Sequence, residues 1–335
     1  MPIALDSIRE AARRIEPHLH RTPVLSARTL GERVGVKLWL KAENLQKTGS
    51  FKPRGALNVV LGLEPERRAR GLVTVSAGNH AQAVAWAARV VGVPCTVVMP
   101  ADAPRSKAEA VRGYGATIVS HADRATLFDR LREEEQRTGA AFVHPFDDPA
   151  GLAGAGTVGL ELIEQSAVLG TVLDTVIVAI GGGGLMAGVA CAVKALHPAC
   201  RIVGVELAEG PGMTPALAAG KPVPVSRPRS LADGLTPPFV GVLPLEAARR
   251  HVDEIVLVSE EDIALGMRAL FERAKLVAEG SGAAATGALL AGRVKCAPGE
   301  RVLAIVSGGN VDPERFCALY ASPAAGEPGM KASPA

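Results

Sequence analysis

An α/β architecture with largely parallel strands follows from three features of the 335-residue chain. Short apolar, β-branched runs alternate with alanine-rich helical stretches, those runs read as buried on both faces, and glycine or proline punctuates nearly every joint. With 48% hydrophobic and 21% charged residues the chain is globular, and its length predicts two core-bearing lobes.

The opening "MPIALDSIRE" places Asp6, Arg9 and Glu10 before any long apolar run, which makes a poor secretory signal. Strand candidates follow as "GLVTVS", "CTVVMP", "ATIVS", "AFVHPF", "TVIVAI", "RIVGVE", "EIVLVS" and "RVLAIVS". Between them the apolar period predicts helices over 81–91, 105–114, 185–196 and 260–274. The proline-rich stretch 221–244 has no period and predicts a long covering loop, while 322–335 lacks an apolar face and predicts a disordered tail. The uncharged run between Asp174 and Lys194 is close to membrane-spanning length. Four consecutive glycines interrupt it, each costing a helix up to ~1 kcal/mol against alanine, so a strand, a tight loop and a new helix fit better.

Composition removes other classes. A net charge of +3 and 3% aromatic residues supply neither a basic face for phosphates nor a stacking platform, so no nucleic-acid partner is expected. The five cysteines are scattered and never in a C-x-x-C pair, which suits reduced thiols in a cytosol and implies no zinc site.

Three glycine loops and one lysine carry the chemistry. Gly181, Gly182, Gly183 and Gly184 lie between the strand "TVIVAI" and a helix starting near Leu185, an anion cradle suited to a phosphate. The same residues also satisfy G-x-G-x-x-A with Glu206 ending the next strand, so a dinucleotide stays open on this loop alone. Ser76-Ala77-Gly78-Asn79-His80 again follows a strand and opens a helix, where free amides could hold a carboxylate or a phenolic oxygen; an ordinary N-cap and a packed His80 are the bland alternatives. Ser307-Gly308-Gly309-Asn310 follows "VLAIV", once more at a strand's carboxyl end. Lys52, in "TGSFKPRG", precedes Pro53, which biases it toward extended geometry at a strand-to-helix corner; Phe51 would desolvate its amine and lower its pKa, freeing a nucleophile. A phosphate cradle, an amine and hydroxyl or amide groups for a ring describe pyridoxal 5′-phosphate better than a dinucleotide.

The segments "ENLQKTGSFKPRGALN", "SAGNHAQAVAWAARVVGVPCTVVMP", "SKAEAVRGYGA", "HPFDDP", "GGGGLMAG", "LADG", "KLVAEGSGA" and "SGGN" together resemble the threonine/serine dehydratase family of catabolic type, over about residues 5–320. That family shares the fold type II, tryptophan synthase β-like architecture of pyridoxal-phosphate enzymes with serine racemase. The resemblance implies two open, mostly parallel twisted sheets flanked by helices, with residues 1–47 and 149–321 in a large cofactor-binding domain and 48–148 in a small one. It further implies Lys52 as the cofactor's covalent anchor and the base at Cα, Phe51 against the ring, Asn79 on the phenolic oxygen, Gly181–Gly184 and Leu185 on the phosphate, and Ser307 at the pyridine nitrogen. Ser76, Ala77, Gly78, Asn79 and His80 would clasp the substrate carboxylate, and Gly234 would line the pocket. The implied protein is a cytoplasmic homodimer that takes a small amino acid, with no membrane partner. The implied reaction is α,β-elimination of ammonia from L-threonine, L-serine or a related β-hydroxy amino acid, with racemisation, β-replacement or the dehydration of hydroxyaspartate or phenylserine as alternatives.

Two departures bear on these implications. Ala77 stands where racemising members carry a second serine as acid/base, so little racemisation is expected. Racemase-like members also place an aspartate after the counterpart of Glu206, where this chain has Gly210 and Gly212, so no metal is expected at Glu206. With no second α/β segment after about residue 320, no regulatory domain and no feedback inhibition by isoleucine are expected.

Overall fold

The computed structural model describes residues 3–103, 105–226 and 228–321. Its ten strands are β1 (Val24–Ser26), β2 (Lys37–Ala42), β3 (Leu72–Val75), β4 (Cys95–Pro100), β5 (Thr117–His121), β6 (Ala141–Phe142), β7 (Thr175–Ala179), β8 (Arg201–Leu207), β9 (Glu254–Val258) and β10 (Arg301–Val306). One sheet has the order β1-β2-β10-β7-β8-β9 and the other β5-β4-β3-β6. Within the sheets only β1 and β2 pair antiparallel. Each apolar run named above supplies one of β3 to β10, although "AFVHPF" keeps only two strand residues, ahead of a proline that has no amide for the ladder. β1 and β2 escape the apolar-run criterion because "VLS" is short and "KLWLKA" carries two lysines.

The strands feed cores on both faces, as parallel sheets covered by helices require. In β10, Val302, Ala304 and Val306 face one core while Leu303 and Ile305 face the other, and β7 splits Ile177 and Ala179 from Val176 and Val178 in the same way. In the smaller sheet Leu72 and Val97 lie on one side, Val73, Val75 and Val98 on the other.

The expected helices appear as Asn79–Val91, Arg105–Gly113, Gly184–Leu196 and Glu260–Ala269, the last running into a π-helical turn over Leu270–Ala274. The helix Pro149–Val168 is the hub. A Cβ on its Gly154 would stand 2.3 Å from the Arg54 carbonyl oxygen, and one on Gly188 would stand 2.5 Å from the Gly156 nitrogen, so three helices meet backbone to backbone. That contact fixes the helix Lys52–Gly62, and with it Lys52, against the hub.

Two expectations change. Lys52 is not an extended residue at a strand-to-helix corner: it is already the first residue of its helix, after a short 3₁₀ turn over Lys47–Gly49. A tertiary hydrogen bond from Phe51 N to Ser307 O (3.0 Å), with the local turn bond from Arg54 N to Phe51 O (3.1 Å), overrides the bias that Pro53 exerts. The loop expected over 221–244 ends at Gly241, because the helix Val242–His251 begins there; its described residues before that hold one 3₁₀ turn, Asp233–Leu235. The expected tail, 322–335, lies outside the described residues. Among those residues no helix is long and apolar enough to cross a membrane.

Candidate active site

The loops after β3, β7 and β10 and the start of the Lys52 helix converge on one cleft. Phe51, Lys52, His80, Phe146 and Gly184 all line it. The Lys52 ammonium donates to Pro145 O at 2.7 Å and stands 5.2 Å from the Phe51 ring centroid. Burial lowers its pKa to about 8, against the opposing pull of Glu279. A large fraction of the amine is therefore neutral just above neutrality, as a nucleophile or base requires.

The positions of Gly181 to Gly184 leave no room for side chains. A Cβ on Gly181 would meet Gly234 O at 2.5 Å, one on Gly182 the Phe146 ring at 2.3 Å, and one on Gly183 the Pro244 ring at 2.6 Å. Gly183 adopts φ +91°, a left-handed conformation that points successive amides one way into the helix Gly184–Leu196. Gly234 lies directly against this cradle through its carbonyl.

The Ser76–His80 loop opens the helix Asn79–Val91, and the first intrahelical donor is Gln82 N to Gly78 O. The amides before it have no intrahelical acceptor, which makes the helix end an anion site. Ser76 Oγ accepts from Gly78 N at 3.1 Å and shapes the turn. His80 is packed: its Nε2 meets Val143 O at 3.0 Å, and burial first, then Lys52, lowers its pKa to about 3. It is a neutral N–H donor, and what it offers the loop is its backbone amide.

Ser307 is buried, and its hydroxyl donates weakly to Ser281 O at 3.4 Å. An isolated bridge joins Ser50 to Gly308, which ties the approach to Lys52 onto the Ser307 loop. Asn310 Nδ2 donates to Thr48 O at 2.7 Å and to Asn79 Oδ1 at 2.8 Å, linking the loops after β3 and β10 to the approach to Lys52. Thr48 itself sits at φ +58°, uncommon for a β-branched residue, with its hydroxyl buried and without a hydrogen-bond partner among the described residues.

Sequence reasoning assigned no role to Glu279. Its carboxylate is buried against Asn79, and burial first, then Asp233, raises its pKa to about 7 while Asn79, Lys107 and Lys52 pull it down. The available signal was an acid immediately before a glycine-rich helix start, in "EGSGA". The pair Lys107 Nζ–Asp233 Oδ2, at 2.5 Å, was equally illegible, since 126 residues separate its members.

Glu206 stands apart from this cluster. Its carboxylate accepts from Gly212 N (2.8 Å), Met213 N (2.5 Å), Thr214 N (2.9 Å) and Thr214 Oγ1 (2.6 Å), capping the helix Met213–Ala219. An acid so saturated is committed to structure, which weakens both the metal and the ribose readings. The residues around Lys52 do fit a phosphorylated ring. A Cβ would fill each position of the glycine cradle, and the Ser281 hydroxyl, buried 2.7 Å from where a Gly234 Cβ would stand, lacks a hydrogen-bond partner among the described residues.

The sequence profile of the pyridoxal-phosphate dependent enzymes matches residues 15–308. The chain is 42% identical over 314 residues to an L-threonine ammonia-lyase of Thermotoga maritima, covering 92% of this chain and 76% of that one. It is 40% identical to the catabolic L-threonine dehydratase TdcB of Escherichia coli K12, covering 94% and 95%. The solved structure of maize serine racemase superimposes with a TM-score of 0.89 at 39% identity, covering 96% of this chain and 98% of that one.

Proposed function

The chain belongs to the pyridoxal-phosphate dependent enzymes, and we propose that it is an ammonia-lyase converting L-threonine, L-serine or a related β-hydroxy amino acid into a 2-oxo acid and ammonia. The observation that carries this is the part-buried Lys52 amine, its pKa lowered to about 8, in one cleft with the glycine cradle.

Bound pyridoxal 5′-phosphate supplies an electron-withdrawing ring that acidifies the α-hydrogen of the amino acid it holds. The amides of Gly181–Gly184 and Leu185 would hold the phosphate, Phe51 would pack on the ring, and Asn79 would give an amide hydrogen to the phenolic oxygen. Ser307 would offer the ring nitrogen a neutral hydroxyl, which, unlike a carboxylate, adds no charge to keep a proton there. The amides of the Ser76–His80 loop clasp the substrate carboxylate and turn its Cα–H toward Lys52 Nζ, which removes that proton. Gly234 leaves space beside the β-substituent. The β-hydroxyl would leave as water, balancing the proton taken from Cα, and the released enamine would take up one water to give the 2-oxo acid and ammonia.

The likeness to the maize racemase favours a second reading, in which the α-proton returns on the opposite face. Ala77 has no group to deliver it, so elimination is the better assignment. Ammonia and 2-oxo acid measured with L-threonine, L-serine, 3-hydroxyaspartate and phenylserine, and D-serine measured from L-serine, test both. Elimination abolished by Lys52→Ala with D-serine absent is the expected result, and D-serine as the main product would overturn it. We also propose that residues 48–148 form the smaller lobe and that the enzyme works as a cytoplasmic homodimer, which light scattering on the purified protein checks.

A further inference from the structure

We propose that Glu279 is a positioning residue for the elimination: its carboxylate fixes the direction of the Asn79 carboxamide, so that one Asn79 amide hydrogen always faces the cofactor oxygen the site must hold. This rests on the ammonia-lyase assignment above and deepens it. Asn79 Nδ2 donates to Glu279 Oε1 at 2.5 Å, while Asn79 Oδ1 accepts from Asn310 Nδ2 at 2.8 Å. Asn310 Nδ2 is pinned in turn by Thr48 O at 2.7 Å. The Asn79 amide is therefore held at both ends, and one Nδ2 hydrogen remains to give away.

Glu279 is 6% exposed and lies against bare backbone: Glu279 N donates to Gly308 O at 3.1 Å, and a Cβ on Gly308 would stand 2.3 Å from Glu279 Oε1. Four groups face it from four elements: Lys52 at its helix start, Asn79 at another, Lys107 on the helix Arg105–Gly113, and Asp233 in the turn Asp233–Leu235. An ionised carboxylate can only accept, so it locks Asn79; a protonated one can also donate and lets the amide turn. Because the carboxyl takes up its proton near pH 7, the lock is present above that pH and loosens as pH falls through it. The side chain makes no capping bond to the helix Gly280–Leu290 that it precedes, so replacing it spares that helix.

The test compares wild-type and Glu279→Gln apoproteins, with Asn310→Ala as a second variant that frees the other end of the amide. Pyridoxal 5′-phosphate is titrated by visible absorbance between about pH 6 and 9, and ammonia release is assayed on the reconstituted proteins. Wild-type affinity for the cofactor is expected to fall as pH drops through about 7. The Gln variant is expected to lack that inflection and to bind about tenfold or more weakly at high pH, the scale of one hydrogen bond to a charged group. Asn310→Ala is expected to weaken binding while keeping the inflection. A Gln variant with the wild-type inflection and an affinity within about twofold of wild type overturns the proposal, as does an Asn310→Ala protein of unchanged affinity. A wild-type protein that takes up no cofactor would instead sink the functional assignment itself.

Discussion

Arg54→Met should cost about 4 kcal/mol of stability at pH 7, within the range for removing one partner of a buried ion pair. Arg54 is 1% exposed and Glu43 0%. The guanidinium donates Nε to Glu43 Oε2 (2.8 Å), Nη2 to Glu43 Oε1 (2.9 Å), Nη1 to Glu161 Oε1 (2.6 Å) and Nη2 to Glu161 Oε2 (2.9 Å). Glu161 keeps a second cation, Lys41 Nζ at 2.6 Å, so its charge stays compensated without Arg54. Glu43 keeps only the Thr22 hydroxyl and Lys41 at longer range. Losing the guanidinium leaves the buried Glu43 carboxylate without its paired cation, which costs about 3–5 kcal/mol. Equilibrium urea unfolding at pH 7, followed by fluorescence of Trp39 in β2 and Trp86 in the helix Asn79–Val91, gives the difference. A loss below ~1 kcal/mol would refute the assignment of an obligatory buried charge network.

Gly154→Ala should destabilise by about 1–3 kcal/mol, since its Cβ would stand 2.3 Å from a backbone carbonyl that cannot step aside; urea midpoints check this. Trapping of an aldehyde on apoprotein Lys52 by borohydride should reach half its limiting rate near pH 8, and a profile still rising above about pH 10 would contradict a desolvated amine. His80, whose pKa burial and then Lys52 depress to about 3, stays neutral in the fold while the unfolded chain takes a proton below the ordinary histidine value of about 6.5. Its contribution is therefore intact above about pH 6.5 and is lost progressively toward pH 3, so acid unfolding of His80→Gln should depend less steeply on pH in that window.

The apolar runs revealed β3 to β10 because strands covered on both faces carry an almost uninterrupted hydrophobic signal. β2 was opaque for a physical reason: its Lys41 is buried by Glu161, Gln165 and Thr22 O, partners far off in the chain that no local pattern announces. The same holds at the site. The glycine cradle and the Ser76–His80 and Ser307–Asn310 loops were legible because glycine and hydroxyl residues mark these strand ends, and Lys52 because it stands between Phe51 and Pro53. Glu279 and Asn310 act through contacts spanning 200 and 231 residues, so their roles emerge only from the folded chain.

Those long-range groups also limit how far burial lowers the Lys52 pKa. Burial alone would lower the Lys52 pKa further, and Glu279 opposes it, leaving the amine near 8. Glu279 is moderated in its turn by Lys107 and Lys52 against Asp233, while Lys107 and Asp233 neutralise each other at the rim. Lys52, Lys107, Asp233 and Glu279 thus form one coupled group of opposite charges. A bound phosphate adds negative charge on the glycine cradle, whose Gly184 lines the same cleft as Lys52. Anion binding at the cradle should therefore raise the Lys52 pKa above its value in the empty protein. Inorganic phosphate added to the apoprotein should slow aldehyde trapping on Lys52 at pH 8 and spare it at a pH well above the amine's own value. Equal slowing at both pH values would mean that phosphate blocks access and leaves the amine's proton affinity untouched.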